Sequence, residues 1–267
     1  MSPRPSPAPA PQRDIAPWPV RAPRTATRFA PRSGMTATLT RPLARPHVVR
    51  RPLLPYAVPE GPRRWLNVAV AGVGLVVTLP LLLVIAALIR LTSRGPAIYR
   101  QRRVGADRRG PGPTGRGRRL IDYGGQPFTM YKFRTMVTRD GARQVWARPD
   151  DPRVTAVGRV LRKFRLDELP QLWNVLRGQM NLVGPRPEQP DIALQLRDQI
   201  DGYALRSRVR PGITGWAQVN LPYDRCLDDV RRKVALDLEY IRGQSTLQDL
   251  KIMLRTVPVM LGRRGGW

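Results

Sequence analysis

The chain has 267 residues, of which 47 are lysine or arginine and 19 are aspartate or glutamate, giving a net charge of +28. A charge of this size indicates an anionic partner, such as a phosphorylated substrate, an acidic membrane face or a nucleic acid. The chain contains one cysteine, Cys226, and one histidine, His47. These numbers exclude a disulfide framework, a zinc site built from both residue types, and Ser-His-Asp or Cys-His catalysis.

Residues 1–64 are rich in proline, arginine, alanine and serine. Because proline lacks a backbone N–H and interrupts helices, this composition predicts a disordered basic tail. The tail has no alternation of aromatic and basic residues that would indicate nucleic-acid binding, so anionic lipid is its expected partner. Met35 is an alternative start of the chain.

A long apolar run extends from Trp65 to Leu91. About 22 uncharged residues at ~1.5 Å each give roughly 33 Å, enough to cross a bilayer. Pro80 predicts a kink because it removes a helix hydrogen bond, and Thr78 is expected to bond a carbonyl that the proline frees. Arginines flank both ends, which places both at the cytoplasmic face. We therefore predict a re-entrant membrane helix over 65–92, with an ordinary single span as the alternative.

The next segment is basic and rich in turns. In FTMYKFRTM, residues 128–136, every second side chain lies on the same face of an extended chain. This pattern predicts a strand of a small β-hairpin, with glycine-containing turns nearby. Lys132 and Arg134 share one face of that strand and are candidate phosphate contacts, unless this face is simply solvated. The glycine- and arginine-rich insert from Arg108 to Gly117 is expected to form a loop at the solvent or the lipid headgroups.

Two adjacent carboxylates, Asp167 and Glu168, lie in a segment that is otherwise basic and apolar. Such a pair could hold a divalent metal against phosphates or attack a phosphorus atom. The alternative is a helix surface with ordinary ion pairs between neighbouring turns. Arginine forms two-point contacts with phosphate oxygens, and the basic residues around the pair are Arg159, Arg162, Lys163, Arg165, Arg177 and Arg186.

The helix that carries the acids is predicted to begin after an N-cap at Thr155, and Pro170 is expected to end or bend it directly after them. Arg153, in the turn before this helix, is a further candidate for phosphate binding. Two later turns each present one arginine, Arg186 in LVGPRPE and Arg210 in RSRVRPGITGWAQVN.

Helices are predicted over residues 224–242 and 246–261, and the second is amphipathic enough either to lie on a membrane or to pack on the domain. The expected fold is α+β and mostly helical. It combines a proline-kinked re-entrant helix with a small hairpin and amphipathic surface helices, and residues 93–267 form its cytoplasmic domain.

Four motifs in order resemble the bacterial sugar transferase family, the monotopic polyprenyl-phosphate phosphoglycosyl transferases. They are SRGPAIYRQRRVG, FTMYKFRTM, DPRVTAVGRVLRKFRLDELPQLWNVLRGQMNLVGPRPE and VRPGITGWAQVN, and the resemblance extends over about residues 64–264. It implies transfer of sugar-1-phosphate from a nucleotide diphosphate sugar to polyprenyl (undecaprenyl) phosphate, the first step of exopolysaccharide assembly. It also implies a location at the inner membrane, with the catalytic domain on the cytoplasmic face.

The resemblance further implies roles for individual residues. Asp167 would be the nucleophile that forms a phosphosugar-aspartyl intermediate, and Glu168 would help to hold Mg²⁺. Arg186 would stabilise charge on the leaving group.

Two alternatives come from other classes of protein. One is a non-catalytic, membrane-tethered basic binding protein. The other is a nucleic-acid-binding protein, which the apolar run and the lack of a recognition motif disfavour.

Overall fold

The computed structural model describes residues 61–107, 122–137, 151–222 and 226–260. The predicted tail up to residue 60 and the Arg108–Gly117 insert lie outside the described residues. The helices are α1 Gly61–Thr92, α2 Ala156–Lys163, α3 Gln171–Leu176, α4 Pro190–Gln199, α5 Trp216–Asn220, α6 Leu227–Arg242 and α7 Thr246–Met260. The strands are β1 Ile98–Val104, β2 Pro127–Phe133, β3 Asn181–Val183 and β4 Gly212–Thr214. The predicted α+β, mostly helical class is confirmed.

Helix α1 has 32 residues and contains Pro80 in its interior. The buried residues of the helix lie on one stripe towards its two ends, with Arg63, Asn67 and Ala71 in the first part and Ile85 and Ile89 in the last part. The opposite face exposes large apolar side chains, among them Val73, Val76, Val77, Leu83 and Leu91. Within the described ranges, α1 is the single helix whose length and composition would allow it to cross a membrane. The predicted kink and re-entry remain predictions.

The hydroxyl of Thr78 donates to the carbonyl of Gly74 at 2.6 Å. The carbonyl that lacks its usual N–H partner belongs to Val76, four residues before Pro80. The predicted partner of Thr78 is therefore wrong, because a threonine hydroxyl in a helix reaches the carbonyl four residues before it.

Helix α1 includes residues 61–64, which precede the predicted start, and two arginines in this part bind the folded domain. Arg63 pairs with Asp249 of α7 at 2.6 Å. Arg64 donates to the carbonyls of Val175 and Leu176, at the end of α3, at 2.6 and 3.1 Å. Both arginines therefore hold the helix against the domain, in addition to contributing positive charge beside the apolar run.

Strands β1 and β2 pair antiparallel, with Ile98 opposite Phe133, and this confirms the predicted hairpin. Strands β3 and β4 pair in parallel, with Val183 opposite Thr214. This second sheet was not predicted, because the glycines and prolines of both segments are typical of turns. Its backbones approach so closely that a Cβ atom on Gly212 would collide with the backbone of Gly184.

The central core lies between α1, α3, β2, β3 and the last two helices, and includes Met130, Val175, Met180, Val183, Tyr240 and Ile252. Asn174 of α3 is fully buried beside the outer edge of β2. Its side-chain amide donates to the carbonyl of Thr129 at 2.7 Å and accepts from the N–H of Tyr131 at 3.1 Å. The side chain of Asn174 thus bonds to backbone groups of β2 as a neighbouring strand would. These bonds fix α3 next to the end of β2 that carries Lys132.

Candidate active site

The two acids lie in a short 3₁₀ turn between two helices. Thr155 caps α2 as predicted, since its hydroxyl accepts from the N–H of Gly158 at 2.9 Å. Contrary to the prediction, α2 ends at Lys163, before the acids. Arg165 is the reason, because its left-handed backbone (φ 53°) cannot continue a right-handed helix. The turn Leu166–Glu168 follows, and Pro170 caps the start of α3.

Asp167 and Glu168 are equally buried, each 8% exposed, but their partners differ. Arg186 holds Glu168 with two contacts, from Nη2 to Oε1 at 2.7 Å and from Nη1 to Oε2 at 3.4 Å. No ion pair or side-chain hydrogen bond from the described residues reaches the carboxylate of Asp167. One acid is thus tied to a cation while its neighbour is available to react.

The two acids also differ in basicity. Burial and, after it, the charge of Glu168 raise the pKa of Asp167 to about 6, against the opposing effect of Lys132, Arg186 and Arg162. Burial also acts to raise the pKa of Glu168, but the charge and hydrogen bonds of Arg186 outweigh it and hold this pKa below its usual range. At neutral pH both groups are anionic, and Asp167 is the more basic and hence the better nucleophile.

Lys132, in β2, completes the charged site. Its ammonium lies 5.3 Å from the ring centre of Tyr99 on the neighbouring strand. Burial lowers the pKa of Lys132 to about 8, as does the charge of Arg103, while Asp167 and Glu168 act to raise it. The structure therefore brings Lys132 and Arg186, two of the five cations predicted to bind phosphate, close to the acid pair.

Arg134 lies at the end of α1, where its guanidinium binds the chain itself, and its role in phosphate binding stays a prediction. It is 4% exposed, and its guanidinium donates to the carbonyls of Ser93 and Arg94 and to the hydroxyl of Ser93. Ser93 and Arg94 directly follow α1, and a longer contact of 3.4 Å reaches the carbonyl of Ile89 in its last turn, so these bonds cap the end of α1.

Arg153 and Arg210, the other two candidates for phosphate binding, have different surroundings. Arg153 forms a two-point pair with Asp151, at 2.9 and 2.6 Å, which holds it in its own turn. Arg210 lies two residues before the start of β4, where its carbonyl lies against Gly184, close to the turn that carries Arg186. Burial lowers the pKa of Arg210. Arg210 therefore lies near the turn that carries Arg186, Arg153 is paired within its own turn, and both phosphate contacts stay predictions.

We expect Arg134→Met to lower the free energy of unfolding by about 1–3 kcal/mol, because the partly buried carbonyls of Ser93 and Arg94, directly after α1, lose their donor. Thermal unfolding of the detergent-purified protein measures this loss. Arg90→Met is the matched control, since Arg90 is exposed in the last turn of the same helix. Equal unfolding temperatures for the two variants would contradict the capping role.

The described residues contain no cluster of three or more metal-ligating side chains. Mg²⁺ commonly binds through one or two carboxylates together with substrate phosphates and water, so the acid pair fits an ion that a diphosphate helps to hold. Oε2 of Glu168 is the candidate ligand, because Arg186 binds it less closely than Oε1. Such an ion would supply positive charge to the diphosphate oxygens.

A family model described as bacterial sugar transferase matches residues 60–263. A protein of Caulobacter vibrioides, named UDP-glucose:undecaprenyl-phosphate glucose-1-phosphate transferase, is 42% identical over 211 residues, which are 78% of this chain and 73% of that protein. The chain therefore belongs to the bacterial sugar transferase family.

Two further relatives are longer than this chain. The undecaprenyl-phosphate glucose phosphotransferase of Komagataeibacter xylinus is 40% identical over 217 residues, covering 78% of this chain and 37% of that protein. The UDP-N-acetylgalactosamine-undecaprenyl-phosphate N-acetylgalactosaminephosphotransferase of Aeromonas hydrophila is 39% identical over 212 residues, covering 78% and 46%. The chain thus spans less than half the length of these two relatives.

Proposed function

We propose that the chain transfers sugar-1-phosphate from a nucleotide diphosphate sugar to polyprenyl phosphate, in two steps through Asp167. The observation that carries this proposal is the difference between the two acids: Arg186 binds Glu168, whereas Asp167 has no ion pair with any described residue, is buried and is more basic. The names of the relatives support the class of donor and acceptor. Because those names include both glucose and N-acetylgalactosamine, the sugar remains to be determined.

In the first step, a carboxylate oxygen of Asp167 attacks the phosphorus that carries the sugar. The bond from that phosphorus to the bridging oxygen breaks, and the nucleoside monophosphate leaves with the electron pair. In the second step, a phosphate oxygen of the lipid attacks the same phosphorus and displaces the carboxylate. Arg186 and Lys132 would bind the phosphate oxygens, where charge stabilisation contributes most to phosphoryl transfer.

We propose further that the domain attaches to one face of the membrane through α1. Two features support this attachment. One is the packing of both end parts of α1 on the same domain. The other is the pair of apolar faces exposed by α1 and by α7, whose exposed residues include Leu247, Leu250, Leu254 and Val257. A membrane-impermeant label should reach cysteines placed near residues 60 and 100 only from the cytoplasmic side, whereas labelling from opposite sides would indicate a full span.

The mass of the intact protein tests the proposed chemistry. The protein is mixed with Mg²⁺ and each of several UDP-sugars, including UDP-glucose and UDP-N-acetylgalactosamine, without lipid. An adduct of sugar-phosphate mass that undecaprenyl phosphate discharges supports both steps. Turnover with lipid but no adduct would indicate direct transfer, and neither adduct nor turnover would favour a binding protein.

We expect a bell-shaped dependence of kcat/KM on pH. The acid limb should lie near pH 6, where Asp167 takes up a proton, and the alkaline limb near pH 8, where Lys132 loses one. Because arginine keeps its charge, Lys132→Arg should remove the alkaline limb and leave the acid limb in place. Initial rates from pH 5 to 9.5 measure both limbs, and an unchanged alkaline limb in the variant would assign it to another group.

A further inference from the structure

The turn that carries Arg186 is held at four consecutive backbone carbonyls. Each accepts a hydrogen bond from a distant part of the chain: Pro185 from the N–H of Gly212 at 3.0 Å, Arg186 from the guanidinium of Arg206 at 3.0 Å, Pro187 from that of Arg103 at 3.0 Å, and Glu188 from the N–H of Val104 at 2.9 Å. A turn has no hydrogen-bond ladder of its own, so these donors determine its path. They therefore also determine where the side chain of Arg186 originates.

Arg206 connects this turn to α6. Its Nε donates to Oδ2 of Asp237 at 2.7 Å, while its Nη2 donates to the carbonyl of Arg186. Arg206 and Asp237 are both buried, and the ring of Tyr203 lies 5.1 Å from the guanidinium. Because the guanidinium is planar and rigid, fixing one edge against Asp237 fixes the direction of the other edge.

A second contact from α6 reaches the same turn. Lys233 lies one helical turn before Asp237, and its ammonium donates to Oε1 of Glu188 at 2.8 Å. Arg103 lies 3.7 Å from the other oxygen of Glu188. The buried face of α6 thus supports the turn at both Arg186 and Glu188. Replacing a buried ion pair by apolar residues is often neutral or stabilising, so stability alone is a weak explanation for charges at these positions.

We propose that Arg206, oriented by Asp237, is a positioning residue for Arg186. By holding the carbonyl of Arg186, it sets the distance of the Arg186 guanidinium from Glu168 and from the donor phosphates. This role rests on the proposed function for its effect on rate, but the contact itself can be tested without a substrate.

Arg206→Lys separates the two contacts. The lysine ammonium can still form an ion pair with Asp237. It lacks the second, rigidly oriented N–H group through which Arg206 binds the carbonyl of Arg186. We expect the rate of adduct formation to fall about ten- to hundredfold, since small displacements of a positioned group have effects of this size. Arg231→Lys, on the exposed side of α6, is the matched control and should react at the wild-type rate.

A double-mutant cycle distinguishes positioning from general destabilisation. In an Arg186→Ala background, Arg206→Lys should change the rate by less than about twofold, because the group it positions is already absent. Equal losses in both backgrounds, with a lower unfolding temperature, would show that Arg206 is merely structural and overturn the proposal.

Chemical labelling of Arg186 tests the same contact independently of activity. Phenylglyoxal modifies accessible guanidinium groups, and the mass of the peptide that contains residue 186 reports the rate. We expect Arg206→Lys to raise that rate several-fold and Arg231→Lys to leave it unchanged. An unchanged rate in Arg206→Lys overturns the proposal even if no sugar donor reacts. If this variant does not fold, Asp237→Asn gives the same comparison, because it weakens the hold on the guanidinium.

Discussion

Asp167→Asn should abolish sugar-phosphate transfer, with a loss of at least about 10⁴-fold in kcat and no detectable adduct. The side chain keeps its shape but has no anionic oxygen to attack phosphorus, and covalent catalysis of this kind has no substitute when its nucleophile is removed. Radioactive transfer to undecaprenyl phosphate and intact-protein mass measure the two losses. Asp191→Asn, at an exposed position in the first turn of α4, is the matched control.

The same variant should be at least as stable as the wild type. Burial raises the pKa of Asp167 from the ordinary 3.8 to about 6, so the charged carboxylate disfavours the folded state. For a carboxyl group with a raised pKa, stability falls as pH increases between the unfolded and folded values. At pH 7.5 the neutral amide should therefore add roughly 1–3 kcal/mol to the free energy of unfolding. Lost activity with a lower unfolding temperature would instead indicate misfolding, and retained turnover would remove Asp167 from the role of nucleophile.

The sequence predicted those parts of the fold that have a local signal. Hydrophobic periodicity gave the long apolar helix, β2 and the last two helices, and the paired acids among arginines located the site. Arg186 was also predicted correctly to lie near the acids, because two prolines hold it in a turn within the same motif. The N-cap at Thr155 was confirmed, since its hydroxyl needs only the helix that follows.

The features that the sequence did not predict depend on contacts between distant segments. The parallel pair of β3 and β4 joins two three-residue strands, too short for a periodic pattern. Arg134 alternates with Lys132 along the chain, yet it lies just beyond β2, where it meets the end of α1 rather than the acids. Helix α2 ends before the acids because Arg165 has a left-handed backbone. Arginine rarely adopts this conformation, and no local sequence pattern indicates it.

Arg63→Met should produce the largest loss of stability outside the site. Arg63 binds Asp249 through Nε at 3.0 Å and Nη2 at 2.6 Å, and the hydroxyl of Tyr240 at 3.0 Å. Tyr240 in turn donates to Asp249 at 2.7 Å. All three residues are buried. Removing the arginine leaves the carboxylate of Asp249 without its cation, which typically costs about 3–5 kcal/mol.

Thermal unfolding in detergent measures this loss, and a paired substitution identifies its cause. Asp249→Leu together with Arg63→Met removes both charges, so it should recover most of the stability that the single change loses. Arg100→Met, at an exposed position in β1, is the matched control and should have little effect. If Arg63 acted only as a positive charge beside the apolar run, Arg63→Met would leave the unfolding temperature unchanged. It would instead change the side of the membrane from which the impermeant label reaches cysteines near residues 60 and 100. A lower unfolding temperature that the paired substitution restores would instead establish that Arg63 joins the start of α1 to α7 within the folded domain.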